Sequence, residues 1–204
     1  MNIITHALIG WCAGQRFSRH LPEVAIITVA SVIPDIDAAG AVIDLARGGE
    51  AELFSAFHHK FGHCLLFYLG LLLLVHLLRK NARLTLWCAL IFHLHLLCDV
   101  IGARGPDGYQ WPVYYLFPFS DYGLSWSYQW EINAWPNILL TLWLLYLFLR
   151  QSAQMGFSPL SLLSSSVDDH FVHTLQKRFG FNKTGTADQM QVEPSSSEVP
   201  GAKQ

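Results

Sequence analysis

Apolar residues in this chain gather into five runs separated by short polar stretches. They cover residues 3–15, 22–33, 64–78, 84–101 and 135–149. Leucine dominates the last three, and the runs are longer than ordinary strands, so helices are predicted throughout. Pro22 opens the second run and Pro34 stops it, leaving the aspartates beyond it on flexible backbone. The third run extends backwards through His58–His63 and the fourth into its polar end, which brings both near the ~20 residues of a membrane span. The first two are short and suit partial or re-entrant helices lining a polar cavity. The expected fold is therefore all-α: a membrane-embedded bundle of about four to five apolar helices.

The remaining chain divides the molecule. Residues 1–150 are expected to form the membrane-embedded domain. Residues 151–181 form a serine-rich linker and a short amphipathic helix, in which Val167, Phe171, Leu175 and Phe179 recur every four positions. This helix could lie on the inner membrane surface or dock on the protein. Residues 182–204 have few apolar groups and are expected to be disordered. Trp111, Tyr114, Tyr115, Trp126, Tyr128, Trp130 and Trp135 crowd residues 109–135, as an interfacial belt or a pocket wall.

Composition agrees with a membrane protein. Of 204 residues, 52% are hydrophobic and 14% charged, against about 25% charged in soluble domains; mean hydropathy is +0.31. The net charge of -2 gives no electrostatic case for nucleic acid. The first twenty residues lack a basic start, so no cleavable leader is expected. Arg16, Arg19, Arg79, Lys80, Arg83 and Arg150 fall at alternate junctions. If those junctions face the cytoplasm, the N-terminus lies outside and the tail inside.

Histidine and aspartate sit at the edges of the runs: Thr5-His6, Pro34-Asp35-Ile36-Asp37, His58-His59-Lys60-Phe61-Gly62-His63 and His95-Leu96-Leu97-Cys98-Asp99. Such groups beside apolar helices are costly unless paired, and a divalent metal satisfies several at once. In the charge-derived topology all four pieces reach the outer face. His95 and Asp99 are four apart, and so are His59 and His63, which a helix would place on one face. The candidate ligands are His6, Asp35, Asp37, His58, His63, His95 and Asp99, with His59 in reserve. One zinc takes about four, so the surplus suits two or three ions. Asp35 or Asp37 is the candidate general base, and Lys60 or Arg104 could hold a phosphate. His20, His76, His170 and His173 are read as ordinary surface or interfacial residues, and His93 lies on a different helix face from His95. Cys12, Cys64, Cys88 and Cys98 form no Cys-x-x-Cys pair and read as small packing residues, with Cys64 a minor candidate ligand. No Gly-x-Ser-x-Gly supports a serine hydrolase.

These four elements over residues 1–120, with Trp111-Pro112 and Phe117-Pro118-Phe119 downstream, resemble the YdjM-like family of membrane-bound metal-dependent hydrolases. That family shows Thr-His, Pro-Asp-x-Asp, His-Arg-x-x-Thr-His-Ser and His-x-x-x-Asp. The chain departs from the pattern at His59, Gly62 and Cys64, where the family has Arg, Thr and Ser; its two histidines there map to His58 and His63. The family is similar to zinc-dependent phospholipases C and related nucleases. The resemblance implies zinc and phosphoester hydrolysis in a bacterial inner membrane without identifying a substrate; the charge-derived topology adds a site facing outward near lipid headgroups, which suits a small-molecule or lipid substrate. The alternatives are a non-catalytic metal-binding membrane protein, such as a sensor or transport accessory, and a family member that keeps its metal only for structure. A transporter would spread its ligands through the bilayer depth.

Overall fold

The computed structural model describes residues 1–49, 52–105 and 108–181; the expected disordered tail at 182–204 lies outside them. Every regular element among the described residues is helical, and the only β pairing is two isolated bridges, Arg104 with Glu131 and Val113 with Leu124. Five apolar helices make the body: α1 (Ile3–Phe17), α2 (Leu21–Val32), α5 (Leu65–Arg79), α6 (Ala82–Gly102) and α7 (Trp135–Met155). Two short helices, α3 (Gly40–Arg47) and α4 (Glu52–Phe57), lie between α2 and α5, and α8 (Ser165–Phe179) follows α7. Leu21–Arg47, Ala82–Gly102 and Trp135–Met155 are long and apolar enough to cross a membrane; Leu65–Arg79 is apolar but shorter.

Local chemistry sets the boundaries. The Asn2 side chain accepts from the Thr5 amide at the start of α1, and Asn81 does the same for Leu84 at the start of α6. Gly156 and Gly180 take left-handed conformations that close α7 and α8. Pro34 does not release the chain into a loop, as the sequence led us to expect. Residues Ile33–Ala39 continue α2 as a 3-10 helix leading into α3, because a proline in the first turn of a new helical segment gives up no needed N–H. The backward extension of α5 is also absent. His58–Cys64 is a run of turns, with His59 at φ 63°.

α1 packs along α2 and α7, α2 along α6, and α6 along α5. Ile27, Ala30, Val75, Leu84, Cys88 and Ile91 form the middle of the core. Gly10 lets α1 and α2 meet closely: a Cβ there would lie 2.6 Å from that of Ser31. Beside it, the Ser31 hydroxyl donates to the His6 carbonyl at 2.8 Å. α8 docks on the protein, through buried Val172 and Leu175 and through Asp168, which accepts from the Ser158 amide and hydroxyl. Outward-facing leucines on α5, α6 and α7, such as Leu73, Leu90 and Leu142, remain exposed, as a lipid-facing surface requires.

Candidate metal centre

The chain reverses direction between α1 and α2 and between α5 and α6. The start of α1, the end of α2, the start of α5 and the end of α6 therefore meet at one end of the bundle. His6 enters from α1, Asp35 and Asp37 from the 3-10 segment, His58, His59 and His63 from the turns before α5, and His95 and Asp99 from α6. His6, His59, His63, His95 and Asp99 are all at most 2% exposed. The turns are seated by Gly62: a Cβ there would fall 1.9 Å from the Pro34 carbonyl oxygen, so only glycine permits the approach. Its amide donates to Asp37 Oδ2 at 3.2 Å.

Asp35, His63, His95 and Asp99 each offer one ligand atom, and these four atoms lie within 4.8 Å of one another. The hydrogen bonds around them orient the rings. His95 Nδ1 faces the Ser31 carbonyl at 2.7 Å, so it carries hydrogen and donates. His63 Nδ1 donates to Asp37 Oδ2 at 2.9 Å. Both histidines thus turn Nε2 inward, and those two nitrogens are only 3.2 Å apart. Asp99 Oδ2 lies 2.9 Å from His95 Nε2 and 3.4 Å from His63 Nε2, yet makes no hydrogen bond among the described residues. Asp35 Oδ1 is 3.6 and 3.9 Å from the same nitrogens.

Two inward lone pairs beside two carboxylates repel unless positive charge lies among them. Burial disfavours a charged His63, but the carboxylates of Asp37 and Asp99 outweigh it and push its pKa up to about 9. A divalent cation fits the same place. Tetrahedral coordination at about 2.0–2.2 Å sets ligand atoms about 3.3–3.6 Å apart; the separations involving the two histidine nitrogens run from 2.9 to 3.9 Å, and all four atoms lie within 4.8 Å. Asp37 and the Ser31 carbonyl are outer partners of the kind that fix the tautomer of metal-binding histidines.

The other candidates stand around this group. His6 Nε2 faces the second oxygen of Asp99 at 3.1 Å, and its ring stacks on His95. The Met1 ammonium contacts the same oxygen. Asp37 divides its oxygens between His63 and His58, whose Nδ1 is 3.1 Å from Oδ1. His59 packs against His63 with ring centroids 4.5 Å apart and donates from Nδ1 to the Trp111 carbonyl. Burial, with His63 beside it, holds His59 well below the usual histidine range. The turns, not a helix, bring His59 and His63 together. Cys64 donates its thiol to the Phe61 carbonyl. His93 bonds Tyr115 on the outside of α6, and all four cysteines are free and buried.

A cavity of about 510 Å³ adjoins the group, walled by Asp35, Phe54, His58, His59, Trp111 and Ile132 among others. Lys60 and Arg104 are not in its wall: Lys60 lies over the Tyr114 ring, and Arg104 donates to the Gly108 carbonyl. Two buried supports carry no signal in the residue pattern. Gln129 donates to the Asp99 carbonyl at 2.7 Å. Asn137 donates to the Gly102, Glu131 and Ile132 carbonyls and accepts from Trp130 Nε1. Both are amides in a loop or first turn, where polar residues are routine.

Fold and site together define a helical membrane protein with a buried histidine–aspartate group at one end of its bundle. The chain belongs to the family described as YdjM inner membrane protein, which matches residues 1–168. No curated protein and no solved structure matches it.

Proposed function

We propose that the protein is a membrane-bound metal-dependent hydrolase acting on a phosphoester, with a membrane lipid as the favoured substrate class. One observation carries this reading: Asp35 belongs both to the four-donor group and to the cavity wall, so a cation held there opens onto space for a substrate. Asp35, His63, His95 and Asp99 would hold the ion, with His6 on the far oxygen of Asp99. Zinc suits this nitrogen and oxygen donor set, and the further histidines leave room for a second or third ion. A divalent cation supplies a Lewis acid that activates water and polarises an ester oxygen. The chain's own residues shape the rest. Asp37 and the Ser31 carbonyl hold the two ligand rings in the required tautomers, while Phe54, Trp111 and Ile132 offer apolar surface to a substrate.

The basic residues Arg16, Arg79 and Arg150 lie at the opposite ends of α1, α5 and α7 from the site. By the positive-inside rule the site faces outward, at the level of lipid headgroups. A non-catalytic metal-binding protein is the second reading. It is favoured by the near-complete burial of His63, His95 and Asp99, since four protein ligands close a structural zinc site.

Metal analysis of the purified protein beside His63→Ala and Asp99→Ala, with a phosphodiesterase and lipase panel, tests both. The hydrolase reading expects bound metal in the wild type, at least about 10–100-fold weaker binding in each variant, and metal-dependent turnover. Unchanged metal content in both variants would sink the site. Bound metal without turnover across the panel would leave the binding reading.

A further inference from the structure

We propose that His58 is the proton acceptor of the reaction, oriented by Asp37, rather than a metal ligand; this deepens the hydrolase reading and rests on it. Both oxygens of Asp37 are already engaged in positioning other groups. Oδ2 accepts from His63 and from the Gly62 amide, and Oδ1 accepts from His58 Nδ1 at 3.1 Å. Because Nδ1 carries the hydrogen, Nε2 on the other side of the His58 ring holds the lone pair. That nitrogen makes no hydrogen bond among the described residues, and His58 lines the cavity beside Asp35.

The ring is held firmly. Phe54 stacks on one face with centroids 4.5 Å apart, and Trp111 meets it edge-on at 5.1 Å. Its side chain keeps 14% of its surface exposed, whereas His63 and His95 keep none. His58 also stands outside the four donors that converge for a cation. A buried carboxylate, an imidazole fixed in one tautomer and an unbonded Nε2 on a ring that lines the cavity form an arrangement suited to taking a proton from water. As the water oxygen bonds to phosphorus, Nε2 takes one of its protons. The bond from phosphorus to the leaving oxygen breaks, and the proton returns through solvent to the departing alcohol. The sum is one water consumed, one alcohol and one phosphate monoester released, and His58 unchanged. Asp37 is the positioning residue, serving His58 with one oxygen and the ligand His63 with the other.

The test uses the full chain in detergent, with His58→Ala and His58→Gln compared with His63→Ala. Both His58 variants should keep the wild-type metal content while turnover falls about 10²–10⁴-fold. Added imidazole should restore part of the turnover in His58→Ala, and none in His63→Ala or in the wild type. Loss of metal from the His58 variants would make His58 a ligand and overturn the proposal. So would full turnover without His58, or a loss that imidazole leaves unchanged. Absence of metal-dependent turnover in the wild type would fail the hydrolase reading first, and this inference with it.

Discussion

His63 carries opposing demands in one ring. Its Nδ1 is committed to Asp37, and its Nε2 faces His95 and Asp99. With no cation present its pKa of about 9 keeps Nε2 protonated at neutral pH. A metal must displace that proton, so protons compete with metal below pH 9 and not above it. Apparent metal affinity should therefore rise by about tenfold per pH unit up to about pH 9 and then level off, read by competition with a chelator. A flat profile would show that metal binding displaces no proton from His63. Gly62 is as exacting in another way. Gly62→Ala puts a methyl group against the Pro34 carbonyl, and overpacking typically costs about 1–3 kcal/mol. The variant should melt earlier and bind metal more weakly than Gly70→Ala, where a Cβ meets open space.

At the scale of elements, α7 is fastened to the end of α6 by Asn137, whose amide serves three carbonyls and the Trp130 indole. Asn137→Ala leaves several of these buried groups unpaired, at about 1–3 kcal/mol each. The melting temperature in detergent should drop clearly, and a shift no larger than that of an exposed substitution would contradict the role. α8 depends on Asp168 in the same manner. Asp168→Ala should free it and quicken protease cleavage near residues 156–164. The apolar helices were legible in the sequence because lipid-facing and core positions alike are leucine-rich, which makes the runs long and clear. α3 and α4 were not: they are short and mostly exposed, and α4 is held by Asp44, which accepts from the Leu53 and Phe54 amides. That the histidine and aspartate pieces meet at one end of the bundle was legible as well, but not how they bond to one another. Those bonds depend on the turns of His58–Cys64, which are set by the contact of Gly62 with Pro34 across the fold, and no local pattern encodes such a contact.

For the whole molecule, the apolar spans and the alternating basic junctions imply a fixed orientation in the membrane. A cysteine placed at Gly49 should react with an impermeant thiol reagent on intact cells, whereas one at Gly180 should react only after permeabilisation; the reverse pattern would turn the site inward. The four native cysteines are buried and give little background. The donors Asp35, His63, His95 and Asp99 come from three separate stretches of chain, and only the last two share a helix. An ion among them would cross-link those stretches much as a disulfide does. The folded state would then gain stability by mass action, about 2.7 kcal/mol at a free ion concentration 100 times Kd. Chelation would loosen the site end of the bundle before its middle, and the cell's supply of that ion would set how long the protein lasts.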